Sequence, residues 1–276
     1  MTDRPPRTLA ALLSEGTVVA PTAYDMLAAR IIAEAGFPAV FCSGYGQAAS
    51  ALGRPDDGSL TLDVVVERAA AMVATAGVPV IVDADTGFDD PAETTRRLAG
   101  AGADAVMIED QVPDKRCGHV AGKRVVDARE MLERLAAVLD ARPAHLTVIA
   151  RTDALGPLGP DEALRRGRLY AEAGADVVFV EAPESREQLR AIPPALPCPA
   201  MANVLPGGRT PELSADELAA LGFRLVVFGL VDLMLATAAL RAGFAELAAT
   251  GRVDAVTPPL LAFDQLNRLT GLTPGG

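Results

Sequence analysis

The sequence has few of the side chains that most often hold transition metals or form disulfide frameworks. Its 276 residues include only two histidines, which excludes a histidine-rich metal centre. The three cysteines, Cys42, Cys117 and Cys198, are far apart and odd in number. That pattern fits neither a disulfide framework nor the spacing of zinc ligands, and it suits a reducing compartment. Any metal site is therefore expected to use oxygen ligands.

Positive charge is also scarce. The formal net charge is -11, the pI is about 4.7, and no long run of lysine or arginine occurs, so binding to a phosphate backbone is not expected and nucleic acid is excluded as a partner. The first apolar stretch is broken by Ser14-Glu15-Gly16 and is too short for a signal peptide or a membrane span. The sequence therefore predicts a cytoplasmic protein without a membrane partner.

Short apolar runs alternate with longer stretches of helical composition from one end of the chain to the other. With 50% hydrophobic residues, the chain can bury a large core. About eight strand–helix units predict an α/β fold, a (β/α)8 TIM barrel with an additional C-terminal helix. Their near-continuous hydrophobicity favours parallel strands buried on both faces. The predicted strands are 17–20, 39–42, 78–82, 105–108, 146–150, 177–180, 198–201 and 225–228.

Start and stop signals place several helices between these strands. We predict helices over 61–76, from Pro91 to near Gly100, over 161–174, over 233–250 and over 260–269. Three similar phrases contain Gly36, Gly102 and Gly174 just before a strand, and each is typical of a helix C-cap. We expect residues 1–276 to form a single barrel domain, with 258–270 as a terminal helix that could pack on the barrel or on a neighbouring subunit.

Polar side chains follow most of the predicted strands at the point where each strand ends. In a barrel of this type these positions converge on the C-terminal end, where active sites are built. The converging groups are Ser43-Gly44, Asp83, Asp85, Glu109, Arg151, Glu181 and Asn203. So many polar groups at strand ends favour one shared site over separate capping roles.

The chemistry of these groups predicts a hard cation and an anionic ligand. Several carboxylates without a histidine cluster favour Mg2+, with Mn2+ as an alternative, and Asp83 and Asp85 are the leading ligands. Arg151 could hold a substrate carboxylate in bidentate fashion. The backbone N–H groups of 43–46 could cradle an anion, although a tight turn after a strand explains the same glycines.

The segment 109–119 holds more reactive groups than packing requires. Glu109 and Asp110 are followed within a few residues by Cys117. Lys115, Arg116 and His119 flank this cysteine, and nearby positive charge lowers the pKa of a thiol. The segment is therefore expected to take part in catalysis.

The chain resembles the isocitrate lyase/phosphoenolpyruvate mutase superfamily over almost its whole length. The motifs that carry the resemblance are Pro21-Thr22-Ala23-Tyr24-Asp25, Ser43-Gly44-Tyr45-Gly46, Pro55-Asp56, Val82-Asp83-Ala84-Asp85-Thr86-Gly87, Ile108-Glu109-Asp110-Gln111, Lys115-Arg116-Cys117-Gly118-His119, Ala150-Arg151-Thr152-Asp153-Ala154, Glu181-Ala182 and Ala202-Asn203. In this superfamily the Lys-Arg-Cys-Gly-His element marks the lyase branch, and mutases and phosphonopyruvate hydrolases carry a different sequence there.

The resemblance implies a role for each matching position. Asp83 would bind Mg2+ directly. The waters of the ion would be held by Asp56, Asp85 and Glu109. The substrate would be bound by Tyr24, Ser43, Gly44, Tyr45, Gly118 and Arg151, with Glu181 and Asn203 facing the second product. Cys117, tuned by Lys115, Arg116 and His119, would protonate the enolate released by carbon–carbon cleavage. The resemblance also implies a mobile loop around this cysteine and a homotetramer that exchanges its C-terminal helix.

The expected function is Mg2+-dependent cleavage of a 2-hydroxy di- or tricarboxylate to a 2-oxo acid and a second carboxylic acid. The alternatives are oxaloacetate hydrolysis or decarboxylation, phosphonate P–C chemistry, and 2-oxo-acid binding without turnover. Phe41 stands where related lyases place a tyrosine base, so Tyr45 or a hydroxide on the metal would have to replace it. Met107 stands in place of a histidine, and Met234 and Phe263 in place of arginines. Fewer cations favour a dicarboxylate, such as a 2-alkylmalate or oxaloacetate.

Overall fold

A parallel barrel forms the larger part of the molecule. The structure is a computed structural model that describes residues 7–113 and 122–271. Within those ranges nine strands form one sheet in the order β1-β9-β8-β7-β6-β5-β4-β3-β2, and every pairing is parallel. The strands are β1 Val18–Val19, β2 Thr22–Ala23, β3 Val40–Cys42, β4 Val80–Asp83, β5 Ala105–Glu109, β6 Thr147–Thr152, β7 Val177–Val180, β8 Ala200–Val204 and β9 Leu225–Phe228.

The sheet closes on itself because its first strand is split in two. β1 pairs with β9 and β2 pairs with β3, and only Ala20 and Pro21 separate the two pieces. Ala20 N donates to Val226 O at 2.8 Å, and Phe41 N donates to Pro21 O at 2.9 Å. Since proline has no N–H to donate, the ladder is interrupted there. The described strands thus occupy eight positions around a closed barrel, as the sequence predicted, but the second half of the first strand was not predicted.

Helices follow the strands and cover the outside of the barrel. Those of residues 7–230 are α1 Leu9–Glu15, α2 Met26–Glu34, α3 Gly44–Gln47, α4 Leu62–Ala76, α5 Pro91–Gly100, α6 Ala128–Ala141, α7 Leu155–Leu158, α8 Pro160–Glu172, α9 Arg186–Ala195 and α10 Ala215–Leu221, with a π-helical turn at Ala48–Leu52. The predicted helices 61–76, Pro91 to Gly100 and 161–174 are confirmed to within two residues at each end.

The predicted caps account for these boundaries. The side chain of Asp90 accepts hydrogen bonds from Ala92 N at 2.9 Å and Glu93 N at 3.1 Å, which satisfies two N–H groups at the start of α5. Gly36, Gly102 and Gly174 have φ angles of 91°, 89° and 113°, so each occupies the left-handed region just after a helix. The repeated glycine phrases are therefore helix ends, as predicted.

Two apolar layers surround the strands, one inside the barrel and one between strands and helices. Along β3 the side chain of Phe41 belongs to the inner layer, whereas Val40 and Cys42 belong to the outer layer. Because successive strand residues point to opposite faces, a strand with apolar surroundings on both sides reads as a continuous hydrophobic run. Phe179 and Met107 continue the inner layer from β7 and β5.

The described residues from 231 to 271 form a second compact unit, distinct from the one that ends at Leu230. Its described helices are α11 Val231–Thr250, a 3-10 turn at Val253–Ala255, and α12 Phe263–Thr270, so the predicted terminal helix begins three residues later than expected. By length and composition α11 could span a membrane, with a mean hydropathy of 1.3 over its most apolar 18-residue window, of which 6% is buried. Among the described residues of α11 only Gly243 is buried.

Candidate active site

A pocket opens at the C-terminal end of the barrel, where the sequence placed the polar strand ends. It encloses about 530 Å3 of empty space, part of which is open to solvent. The lining includes both polar and apolar side chains. The lining residues are Thr22, Phe41, Ser43, Tyr45, Asp56, Asp83, Met107, Arg151, Phe179, Glu181, Met201, Asn203, Leu205, Val227, Gly229 and Leu230.

Two carboxylates meet at the end of β4. Asp83 Oδ2 accepts a hydrogen bond from Gly44 N at 3.3 Å, and Asp83 Oδ1 accepts one from Asp85 N at 3.1 Å. A Cβ atom on Gly44 would lie 3.1 Å from Asp83 Oδ2 and 3.3 Å from Asp85 Oδ1. The absence of a side chain at 44 therefore lets both carboxylates approach the same point. Asp85 has a φ of 51°, a left-handed conformation that few non-glycine residues adopt, although aspartate adopts it more readily than most.

These carboxylates fit the chemistry of a hard divalent cation. Glu109 ends the neighbouring strand, and its N–H donates to Asp85 O at 2.8 Å, which fixes the two strand ends side by side. Asp56 lines the same pocket. Within 7–113 and 122–271, no three His, Cys, Asp or Glu side chains meet closely enough to bind one ion together. Mg2+ requires no such cluster, because it keeps several waters and binds through one or two carboxylates plus substrate. The oxygen-only donor set fits this ion.

Arg151 is held in a fixed orientation beside the carboxylates. Its Nε donates to Asp153 Oδ2 at 2.8 Å and its Nη2 donates to Asp153 Oδ1 at 3.0 Å. Glu109 Oε2 and Glu181 Oε2 lie 3.3 Å and 3.6 Å from the same Nε. The guanidinium also lies over the ring of Phe179, 5.6 Å from its centroid. With one edge bound to Asp153, the Nη1/Nη2 edge remains for a second carboxylate.

Buried charge controls the protonation of this cluster. Burial by itself lowers the pKa of the Arg151 guanidinium, but the negative charges of Asp153, Glu109 and Glu181 outweigh that effect and hold it well above its ordinary value. Burial likewise raises the pKa of the Asp153 carboxyl, and the charges of Arg151 and Lys123 overcome it, so the pKa is lowered. Both groups are therefore ionised at neutral pH.

The predicted anion loop is a short helix that begins at the end of β3. Ser43 Oγ accepts from Gly46 N at 3.4 Å, which caps this helix. Ser43 and Tyr45 line the pocket, whereas Tyr24 does not. Tyr24 instead lies behind the loop, where its carbonyl oxygen accepts from Ser50 Oγ and Arg68 Nη2, both at 2.8 Å. The segment is thus a helical turn and not a tight turn, and Gly46 is explained by packing, since a Cβ there would lie 3.2 Å from Tyr24.

Other residues singled out in the sequence line the same pocket. Glu181 and Asn203 line it at the ends of β7 and β8. Phe41 and Met107, the two positions at which the chain departs from related lyases, line it as well. The structure therefore brings together nine of the residues that the sequence singled out, which are Phe41, Ser43, Tyr45, Asp56, Asp83, Met107, Arg151, Glu181 and Asn203.

Asp110 organises the layer directly behind the site. Its carboxylate is fully buried and accepts four hydrogen bonds, from Thr152 Oγ1 at 2.7 Å, Asp153 N at 2.8 Å, Tyr170 OH at 2.9 Å and Arg166 Nη1 at 3.0 Å. Burial, together with the nearby charge of Asp153, raises the pKa of this carboxyl. The network connects β5, β6 and α8 and so fixes the strand ends that carry Glu109 and Arg151.

Lys115, Arg116, Cys117, Gly118 and His119 lie outside the described residues. The chain is described again from residue 122, and its two flanks pair with each other. Gln111 and Val125 form an antiparallel bridge, and Val112 N donates to Arg124 O at 3.1 Å. Both flanks of 114–121 are thereby anchored at the end of β5, next to the pocket.

Sequence reasoning missed two charged residues of the site. Asp153 was not among the predicted site residues, although it follows Arg151 by two residues and so faces the same side of an extended chain. Lys123 was not predicted either, but its Nζ donates to Asp153 Oδ1 at 2.9 Å. The signal that could have found Lys123 is composition, because the chain contains only two lysines, Lys115 and Lys123.

Comparison with known proteins places this geometry in a family. The model of the phosphoenolpyruvate phosphomutase family matches residues 9–248. The 2,3-dimethylmalate lyase of Eubacterium barkeri is 42% identical over 265 residues, which cover 95% of this chain and 92% of that protein. The 2-methylisocitrate lyase of Bacillus subtilis (strain 168) is 40% identical over 222 residues, which cover 79% of this chain and 73% of the relative.

Solved structures agree in fold. Oxaloacetate acetylhydrolase in complex with the inhibitor 3,3-difluorooxalacetate superposes with a TM-score of 0.91 at 35% identity and covers 96% of this chain and 92% of its own. Phosphonopyruvate hydrolase in a complex with oxalate and Mg2+ superposes with a TM-score of 0.85 at 29% identity and covers 95% of this chain and 93% of its own.

Proposed function

The chain belongs to the phosphoenolpyruvate phosphomutase family, and we propose that it is a Mg2+-dependent carbon–carbon lyase. It would cleave a 2-hydroxy dicarboxylate into a 2-oxo acid and a second carboxylic acid. The observation that carries this proposal is the arrangement of Arg151 in the pocket. Its guanidinium is fixed by Asp153 and lines the same pocket as Asp83. One 2-hydroxy acid can therefore place its carboxylate on the guanidinium and its hydroxyl beside Asp83.

Different residues of the pocket would bind the metal and the substrate. Asp83 would bind the metal directly, and Asp56, Asp85 and Glu109 would hold its waters. When bound, Mg2+ polarises the 2-oxygen of the substrate and stabilises negative charge there. Arg151 and the backbone of Ser43, Gly44 and Tyr45 bind the adjacent carboxylate and orient the bond that breaks. Glu181 and Asn203 face the second carboxylic acid.

The reaction is a retro-aldol cleavage. A base removes the proton of the 2-hydroxyl, the C2–C3 bond breaks as C2 becomes a carbonyl, and the electron pair of that bond passes to C3 as an enolate. Cys117 then donates its thiol proton to C3, and Lys115, Arg116 and His119 lower the pKa of the thiol. Tyr45 is the proposed base, since it lines the pocket and Phe41 has no ionisable group.

The lining of the pocket favours a dicarboxylate with an alkyl group. Among the lining residues, all of which are in the described ranges, Arg151 is the only lysine or arginine. A dicarboxylate would therefore leave one carboxylate without a lysine or arginine there, and a tricarboxylate would leave two. Phe41, Met107 and Met201 supply an apolar wall instead. An alkyl-substituted malate would place its carboxylate on Arg151 and its alkyl group against that wall.

A second candidate function is hydrolysis of oxaloacetate. The specific observation in its favour is the superposition with oxaloacetate acetylhydrolase at a TM-score of 0.91. Water would then attack the 2-oxo carbon, and the C2–C3 bond would break to give oxalate and acetate. The same Arg151 and Asp83 would bind this substrate, so product identity is needed to separate the two reactions.

A substrate panel tests the proposal. The protein would be incubated with 2-alkylmalates, 2,3-dimethylmalate, 2-methylisocitrate, isocitrate and oxaloacetate, with Mg2+ or with EDTA, and the products identified by NMR. We expect pyruvate or another 2-oxo acid from an alkylmalate, with Mg2+ only. Oxalate and acetate from oxaloacetate would favour the second candidate. An absence of product from every acid, together with 2-oxo-acid binding, would indicate a binding protein.

We also propose that the protein works in the cytoplasm as a homo-oligomer, a tetramer, in which a second copy covers α11. Three large apolar side chains of this helix are more than half exposed: Leu235, Leu240 and Phe244. Apolar side chains exposed to this extent on one helix indicate that another surface covers it. Arg241 lies at the middle of the helix, where a charge is costly in a bilayer, so another protein surface fits better than lipid.

A further inference from the structure

Lys123 forms a buried ion pair at the end of the segment that carries Cys117. Its Nζ lies 2.9 Å from Asp153 Oδ1, and the side chains of the two residues are 5% and 0% exposed. Placing two charges out of water costs free energy that only a close pair recovers. A lysine in this position is therefore expected to serve a purpose that an apolar side chain would not.

The Asp153 carboxylate joins Lys123 to Arg151. Asp153 Oδ1 accepts from Lys123 Nζ and from Arg151 Nη2 at 3.0 Å, and Asp153 Oδ2 accepts from Arg151 Nε at 2.8 Å. The backbone of Asp153 is fixed in turn, since its N–H donates to Asp110 Oδ1 at 2.8 Å. One carboxylate thus holds both cations, and it has little freedom to move.

Competing carboxylates surround Arg151. Glu109 Oε2 lies 3.3 Å from its Nε and Glu181 Oε2 lies 3.6 Å from it. If Asp153 released the guanidinium, either glutamate could take it, and the edge that faces the pocket would turn away. The orientation of Arg151 therefore depends on how firmly Asp153 itself is held, and Lys123 is the second cation that holds it.

Composition also sets Lys123 apart. Of the 25 lysine and arginine residues, only Lys115 and Lys123 are lysines. All the others are arginine, so a lysine at position 123 is unusual for this chain. Lysine is a compact point charge on a flexible stem, whereas arginine would present a second planar fork to a carboxylate whose two oxygens already receive one.

We propose that Lys123 and Asp153 are positioning residues that hold the free edge of Arg151 toward the substrate carboxylate. This inference rests on the proposed function, in which Arg151 binds that carboxylate. Lys123 acts only through Asp153 and does not touch the substrate. Only Gly122 separates Lys123 from the 114–121 segment, so the same ion pair fixes the chain just after that segment beside Arg151.

The test measures ligand affinity and stability separately. Oxalate would be titrated calorimetrically, with Mg2+ present, into the wild type, Lys123→Met, Asp153→Asn and the double variant. We expect each single variant to raise the Kd for oxalate by about 10- to 100-fold, since a misplaced contact of this kind costs that much. The double variant should be no weaker than the worse single variant, because the two residues act through one contact. With substrate, KM should rise more than kcat falls.

Arg134→Met is the matched control. Arg134 Nη1 donates to Gln111 O at 2.9 Å and, at the longer distance of 3.4 Å, to the backbone oxygen of Glu109. This cation therefore anchors the other flank of the same segment without contacting the side chains of Arg151 or Asp153. It should lower the midpoint of urea unfolding and leave the Kd for oxalate within about twofold. Asp153→Asn reports the same affinity if Lys123→Met folds poorly.

The results distinguish a failure of the positioning role from a failure of the proposed function. An oxalate Kd that stays unchanged in both folded single variants, or that changes equally in Arg134→Met, overturns the positioning role alone. Additive losses in the double variant would also contradict it, since they would mean that Lys123 acts by another route. Failure of the wild type to bind oxalate would overturn the proposed function and this inference with it.

Discussion

The backbone of Gly229 lies directly against the side-chain amide of Asn203. A Cβ atom at 229 would come within 2.8 Å of Asn203 Oδ1 and 3.4 Å of its Nδ2. Both residues line the pocket, and the next residue, Leu230, has a φ of 58° and donates its N–H to Thr22 Oγ1 at 2.7 Å. The end of β9 is thus held where a side chain at 229 has no room.

Gly229→Ala should therefore displace the Asn203 amide and reduce activity. We expect kcat/KM on the best substrate to fall about tenfold or more, because a displaced positioning group costs at least that much. Gly100→Ala is the control, since a Cβ there meets nothing within 4 Å. The control should keep full activity, and equal losses in the two variants would argue against a role for the Gly229–Asn203 contact.

Gly44→Ala tests the carboxylate pair. Its Cβ would lie 3.1 Å from Asp83 Oδ2 and 3.3 Å from Asp85 Oδ1, and it would push the two carboxylates apart. We expect the Mg2+ concentration for half-maximal activity to rise about tenfold, and Mn2+ binding measured by EPR to weaken in parallel. Gly46→Ala, whose Cβ would instead meet Tyr24 at 3.2 Å, should leave metal binding unchanged. Metal affinity equal to the wild type in Gly44→Ala would contradict the assignment.

The barrel was predictable from the sequence because strands that are buried on both faces are apolar at every position. Runs such as 177–180 are apolar at every position, and this reflects an inner and an outer apolar layer. The split of the first strand was not predictable in the same way. Pro21 interrupts the ladder, and the two-residue pieces on either side are too short to show a pattern.

The site was predictable only in part. Strand-end positions led to Asp83, Arg151 and Asn203 because chain topology fixes where strands end. Asp153 could have been found from its spacing of two residues from Arg151. Lys123 could not be placed, since its importance lies in a contact across 30 residues of sequence that no spacing rule describes. Which face of Arg151 is engaged likewise follows from packing and not from the motif.

The three thiols should differ sharply in reactivity. Burial raises the pKa of the Cys42 thiol to about 12 and that of Cys198 to about 11, so at pH 8 only about one in ten thousand and one in a thousand of these groups are thiolate. Iodoacetamide should therefore label Cys117 first, as detected by mass spectrometry. Above pH 11 the other two thiols should begin to react. Early labelling of Cys42 or Cys198 at pH 8 would contradict this order.

Cys117→Ser should lower kcat by about 100- to 10,000-fold, the usual contribution of a positioned acid. Oxalate binding in the presence of Mg2+ should stay within about twofold, because in the proposed mechanism the thiol acts after the bond breaks and has no part in holding the carboxylate. Wild-type turnover in this variant would remove Cys117 from the proposed mechanism. A large loss of oxalate affinity would instead assign it a binding role.

Substitution of Tyr170 should affect stability, whereas substitution of Tyr45 should affect turnover. Tyr170 is fully buried, and its hydroxyl donates to Asp110 Oδ2 at 2.9 Å. Tyr170→Phe should lower the free energy of unfolding by about 1–2 kcal/mol in urea and leave kcat/KM unchanged, because Thr152 and Arg166 still donate to that carboxylate. If Tyr45 is the base, Tyr45→Phe should leave the free energy of unfolding unchanged and lower kcat/KM. Loss of activity in Tyr170→Phe at full stability would assign the buried network a direct role.

Charge on the exposed face of α11 should break the oligomer. Leu240 and Phe244 are 57% and 64% exposed, and they lie four residues apart on one side of the helix. Leu240→Glu with Phe244→Glu should reduce the mass measured by light scattering after gel filtration to that of smaller species, because two carboxylates would be buried without partners. Leu158→Glu makes the same change at an exposed leucine of the barrel and should leave the mass unaltered. A wild type that is already monomeric would refute the proposed assembly, since no second copy would then cover this face.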